Sequence, residues 1–155
     1  IVEVFITSDK LDHGYMVMDF CRLNGVKEFV ESFDHTYSLW QEESNELKSF
    51  IYQFNSRVAE IPASPSAEGY ALLFFYIIDQ ILQNTEKING EGCIQLHSVR
   101  VHETATGYAE AFREDLKLVH FHTEDILFSS GVTNEWKVLK KTESKQKNRF
   151  ILSFK

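Results

Sequence analysis

The chain has little with which to cross-link or stiffen itself. Only Cys21 and Cys93 stand among its 155 residues, too few for a disulfide framework. Free thiols fit a reducing compartment, so a cytoplasmic location is expected. The two prolines, Pro62 and Pro65, both fall in "AEIPASPSAEG" and break a helical pattern there. Long hydrophobic runs are missing too. The longest, "YALLFFYII" at residues 70–78, is far short of the roughly 18–20 residues that cross a bilayer. No basic start leads into an apolar core, so no signal peptide is expected. Positive charge is the minor sign: 16 Lys and Arg against 23 Asp and Glu give a net −7 and a pI near 5.3. That balance argues against binding a nucleic-acid backbone or an anionic membrane surface, both of which need a basic face.

What is abundant is aromatic. Phe alone contributes 13 residues, within 43% hydrophobic and 25% charged. This is the composition of a globular domain, and the length suits one domain with a sizeable core. "IVEVFITS" alternates as a strand does. "DKLDHG" reads as a turn holding His13, and residues 15–20, "YMVMDF", as a second extended run. From Cys21 the period becomes helical, with Val26, Phe29, Val30 and Phe33 on one face and Asp19 as N-cap. A second helix repeats the spacing with Leu47, Phe50, Ile51 and Phe54. Ser66 would cap a third, with Glu68 in its first turn where the dipole favours an anion. That helix runs to about Gln83 and is apolar nearly all round, so it should be buried on most sides.

Residues 94–103 form a strand whose phase slips near Ser98: Ile94 and Leu96 share one phase, Val99 and Val101 the other. A bulge explains the slip. Residues 108–112 pair back as a hairpin. Beyond Arg113 no period is sustained. Residues 137–149 form a basic, solvated tail, and "FILSFK" is a short strand or a frayed end. The order of elements points to one α+β domain with its helices on one face of an antiparallel sheet.

Several residues could carry chemistry. Asp34-His35 follows the first helix. A carboxylate beside an imidazole can fix its tautomer and stabilise its charged form for proton transfer near neutral pH. A polar helix end would look the same. His120 and His122, in "HFH", would share one side of a strand, but without a third ligand they read as surface residues. His97 and His102 serve packing or solvent, and Cys21 is expected to be at least half buried. Trp40 and the Leu47–Phe54 stripe read as core or subunit contact.

Four stretches, "HGYMVMDF", "FDH", "PSAEGYA" and "VRVHETATGYAE", come in the order and spacing of the 6-pyruvoyltetrahydropterin synthase family, whose bacterial branch includes 6-carboxytetrahydropterin synthase of queuosine biosynthesis. The chain resembles that family over roughly residues 1–112. The resemblance implies a T-fold, an antiparallel sheet with helices on one side, whose sheets join into a barrel as subunits assemble into a hexamer of two trimers. It would form a single T-fold domain over residues 1–155, with a core at about 1–113 and an extension at about 114–155.

The implied enzyme is a zinc-dependent lyase acting on 7,8-dihydroneopterin triphosphate, making either the carboxylated or the pyruvoyl pterin. A non-catalytic pterin-binding paralogue is the reading from another class. Asp34 and His35 would be the catalytic pair. Glu103 would hold the pterin ring, with Ser66 and Glu68 lining the pocket; the family's Thr and Asn at that helix are Ser66 and Gly69 here. The site would lie between subunits. The family's three zinc-binding histidines and its cysteine have no counterpart in this sequence. They are expected upstream of Ile1: one histidine on the family's N-terminal strand, which this chain is expected to lack, two in an H-x-H ahead of the next strand, and the cysteine in the loop between.

Overall fold

In the computed structural model, which describes residues 1–135, the alternating start becomes strand β1, Val2–Thr7. It pairs antiparallel with β4, Gln95–His102, which pairs antiparallel with β5, Tyr108–Phe112. The order β1-β4-β5 is the expected antiparallel sheet. It belongs to one of two compact units, residues 1–31 with 66–121; the other holds residues 32–65 and those from His122 onward.

The phase slip in β4 is a bulge. Phe5 faces Ser98 and Ile6 faces Leu96, so His97 is the extra residue. On either side of it the buried apolar positions are Leu96, then Val99 and Val101. Helix α3, Ala67–Gln83, packs on β4 and β5. As expected it is buried on most sides: Ala71, Leu73, Phe74, Phe75, Ile77, Ile78 and Leu82 are all in the core. Each such large side chain removed from water stabilises the fold by about 2 kcal/mol. Helix α1, Asn24–Glu31, lies on α3, where Phe29 meets Phe74 edge to face at 5.5 Å.

Two local expectations for this unit fail for one reason. Residues 15–20 are not extended, and the helix expected from Cys21 begins as a 3-10 turn, Phe20–Leu23, ahead of α1. Short acids bind the backbone first. Asp12 takes the N–H groups of Gly14 and Met16 at 2.7 and 2.8 Å, and Tyr15 turns left-handed at φ 61°. Asp19 caps the Cys21 N–H at 2.9 Å, the N-cap role expected of it. Cys21 itself is exposed, contrary to the expectation of burial.

The second unit holds a sheet that the sequence does not announce. Strand β2, Tyr37–Trp40, runs parallel to β3, Val58–Ile61, with helix α2, Asn45–Phe54, connecting them. Strand β6, Leu127–Phe128, pairs antiparallel with β3. Runs this short show no period. Of the apolar α2 stripe only Ile51 is buried, joining Leu39 and Val58; Leu47, Phe50 and Phe54 are exposed, so of the two expectations for the stripe, core or subunit contact, core holds for Ile51 alone. Glu60 of β3 ties α2 down by accepting from Lys48 Nζ at 2.6 Å and Tyr52 Oη at 3.2 Å.

The chain after β6 clips onto the start of β3. The Ser129 hydroxyl donates to the Ser56 carbonyl at 2.7 Å and accepts from the Val58 N–H at 2.9 Å. Its N–H donates to the Val58 carbonyl at 2.9 Å. A short helix at residues 130–135 follows. Gly131 sits so close to the Ser56 carbonyl that a Cβ there would overlap it. The basic run at 137–149 and "FILSFK" lie outside the described residues. Among the described residues no helix is long and apolar enough to cross a membrane.

Candidate functional site

Asp34 and His35 occupy a turn at residues 32–35, between α1 and β2. The helix stops where Thr36 folds back: its hydroxyl donates to the Ser32 carbonyl at 2.8 Å and the Asp34 carbonyl at 3.3 Å. Arg57, just ahead of β3, donates from Nη2 to the same Asp34 carbonyl at 3.1 Å. His35 is left-handed, with φ 52°. Side chains other than glycine's are uncommon there, and such strain persists where the surroundings hold it.

His35 Nε2 lies 3.8 Å from Asp34 Oδ2, with the side chains 90% and 75% exposed. That is beyond hydrogen-bond length but within reach of an ion pair once the ring is protonated. In water such a pair is weakly coupled. The arrangement therefore contributes little to stability, yet presents a carboxylate and an imidazole side by side to anything that docks over them. A left-handed residue is also a common way for a helix to end, so the conformation of His35 is shared by the polar helix end and the catalytic pair.

Glu103 follows β4 in the β4–β5 turn and is exposed. The turn is closed by its own backbone. The Glu103 and Thr104 N–H groups both donate to the Gly107 carbonyl, at 3.0 and 3.2 Å, and Thr104 Oγ1 accepts from the Gly107 N–H at 2.8 Å. Among the described residues nothing engages the Glu103 carboxylate, so it is available to a ligand bearing paired N–H donors. Ser66 is the N-cap of α3, its Oγ accepting from the Gly69 N–H at 3.1 Å. Glu68 is exposed in the first turn of that helix. Ser66, Glu68 and Glu103 belong to one unit and Asp34-His35 to the other.

His120 and His122 are exposed in irregular backbone. Among the described residues no three His, Cys, Asp or Glu side chains gather where a metal could sit. The residues present therefore do not fit a zinc centre, and no chemical step is routed through one.

Sequence reasoning missed the polar face of the β1-β4-β5 sheet. Glu3 Oε2 meets His102 Nε2 at 2.8 Å and Arg100 Nη1 at 3.4 Å, while Arg100 also donates to Glu110 at 2.9 and 3.2 Å. The Arg100 guanidinium lies over the Tyr108 ring at 4.3 Å. His102, then Arg100, hold the Glu3 carboxyl below its usual range. The signal was available in the sequence: once the bulge is placed, Glu3, Arg100 and Glu110 fall in line across three strands.

Comparison with known proteins matches residues 1–114 to the family described as 6-pyruvoyl tetrahydropterin synthase. A protein of Helicobacter pylori strain 26695 named 6-carboxy-5,6,7,8-tetrahydropterin synthase is 42% identical over 140 residues, covering 87% of this chain and 70% of that protein. Its counterpart in strain J99 is 41% identical over the same length. A protein of the same name from Aquifex aeolicus is 29% identical over 114 residues, 71% of this chain and 68% of its own length.

Proposed function

Because the chain belongs to the 6-pyruvoyl tetrahydropterin synthase family, we propose that it acts as a 6-carboxy-5,6,7,8-tetrahydropterin synthase. In this reading it is a lyase that takes 7,8-dihydroneopterin triphosphate and one water, releases triphosphate and a two-carbon fragment as acetaldehyde, and leaves the carboxylated pterin. The product would feed queuosine synthesis in the cytoplasm. What carries the reading is the exposed Asp34-His35 pair on a turn held in a left-handed conformation, in a chain similar over most of its length to proteins of that name.

The roles follow from the chemistry of the side chains. His35 moves protons between the carbons and oxygens of the substrate side chain, and Asp34 stabilises its charged form. A positioned acid/base group of this kind contributes about 10²–10⁴-fold in rate. Glu103 accepts paired N–H bonds from the pterin amino group and ring nitrogen, which discriminates against rings that lack them. Ser66 and Glu68 line the pocket at the head of α3; the Ser66 hydroxyl proton is left to donate, since its lone pair serves the cap. The exposure of Asp34, His35 and Glu103 in a single chain suits a homo-oligomer, a hexamer of two trimers, in which a neighbouring subunit completes the pocket. Zinc, which the family resemblance brings, has no ligand set among the described residues, and no role above is routed through it.

The test is product identity. The full-length protein is incubated with 7,8-dihydroneopterin triphosphate and the products are resolved by mass. Carboxylated pterin with acetaldehyde is the expected result. Pyruvoyl pterin would move the assignment to the other branch of the family. Tight pterin binding without turnover would make the protein a non-catalytic paralogue.

A further inference from the structure

The turn that carries His35 is not self-supporting. Thr36 closes it from within, and among the described residues the side chain from another element that reaches the Asp34 carbonyl is that of Arg57. Arg57 is itself gripped from both ends. One terminal nitrogen reaches Asp34, the other meets Glu135 Oε1 at 2.5 Å, and the buried Nε finds no partner among the described residues. The Arg57 carbonyl accepts from the Tyr37 N–H at 3.0 Å, so the same residue also anchors the chain leaving the turn.

Glu135 lies beyond residue 114, where the family match ends. The segment that delivers it is seated firmly. Strand β6 pairs with β3, Ser129 makes three hydrogen bonds to residues 56–58, and Gly131 allows the backbone to press against Ser56. All of these residues belong to one unit. The hydrogen-bonded relay Glu135–Arg57–Asp34 therefore runs from the extension to the residue before the left-handed His35.

We propose that the C-terminal extension sets the conformation of the Asp34-His35 turn, with Arg57 and Glu135 as positioning residues. The consequence for catalysis rests on the reading of His35 given above; the consequence for conformation does not. Arginine suits the task because its planar fork engages two acceptors at once, which a lysine ammonium at a single point does less well. Among the described residues, removing the Arg57 fork leaves the Asp34 carbonyl to Thr36. Neutralising Glu135 loosens the fork without removing it.

The experiment compares Arg57→Met, Arg57→Lys and Glu135→Gln with wild type in the full-length protein, by two readouts. The first is the backbone and imidazole NMR resonances of His35 without substrate, assigned by their loss in His35→Ala. Arg57→Met and Glu135→Gln should move the same His35 resonances in the same direction, Glu135→Gln by less, and Arg57→Lys should restore part of the change. The second is turnover per folded enzyme. kcat should fall about tenfold in Arg57→Met, with KM within about twofold, as expected when a reacting group is displaced but substrate contacts remain. Unmoved His35 resonances in both variants would overturn the proposal, and activity that falls only with the folded fraction would overturn its consequence for catalysis. Wild-type turnover in His35→Ala would instead sink the catalytic reading, and the resonances would still decide whether the brace exists.

Discussion

Asp79 and Arg113 grip each other at both ends of the fork, Nη2 to Oδ1 at 2.6 Å and Nη1 to Oδ2 at 3.1 Å. Asp79 is a charge inside the most apolar helix of the chain, only 5% exposed, and Gln83 also donates to it at 2.6 Å. Arg113 is held above its usual range by that hydrogen bond to Asp79. Asp79→Ala should cost about 2–3 kcal/mol in urea unfolding. This is the low end for breaking a buried pair, because the Arg113 side that stays exposed can still be hydrated. Asp79→Asn keeps an acceptor and should cost about half as much.

Glu3 makes stability depend on acid. Its carboxyl is held below the usual value near 4.5, by His102 first and Arg100 after it. A group whose folded value is lowered stabilises the fold above its unfolded value, and that contribution disappears as pH falls through the folded one. Between about pH 6 and about pH 3 the wild type should lose more urea resistance than Glu3→Gln, which has no such proton to gain. Equal slopes for the two proteins would show that the contact does not matter in solution.

The left-handed His35 separates stability from activity. Glycine adopts that conformation freely and alanine does not, so His35→Gly should be more stable than His35→Ala by about 1 kcal/mol. Both should lose turnover alike, by about a hundredfold or more if the ring transfers protons. Thermal melts and product formation on the same preparations check both halves.

Ser66 has a structural duty beside the pocket role proposed for it. Removing the cap with Ser66→Ala should cost about 1 kcal/mol, whereas Ser66→Asp should be close to neutral in stability. If Ser66 also lines the pterin pocket, Ser66→Asp raises KM despite its sound fold. Unchanged KM in Ser66→Asp would confine this residue to capping.

Long, regular elements were legible in the sequence because their periods are long enough to read. The α3 stripe, the β1 alternation and the slip in β4 all lie where the pattern puts them. The second sheet was not legible: β2 and β3 have four residues each and β6 has two, and such runs are chosen by their partners rather than by a period. The α2 stripe left core and subunit contact undivided for a related reason. Helical spacing reports which apolar residues share a face, but not whether that face is covered, and Phe50 and Phe54 stack on each other at 4.8 Å in the open. At the candidate site the residue types were legible and their supports were not. Nothing about Arg57 in the sequence points 23 positions back to Asp34.

The extra residue in β4 decides more than a local kink. A strand counts in twos, and one added residue changes every later side chain from even to odd. Strict alternation counted from Leu96 through His97 would carry Arg100 and His102 into the apolar layer and turn Val99 and Val101 outward; the bulge at His97 absorbs that slip. The same parity governs the direction from which the chain enters the turn bearing Glu103. Deleting His97 should therefore close the bulge into a regular ladder and leave the approach to Glu103 as it is, whereas one residue inserted between positions 99 and 102 would reverse it.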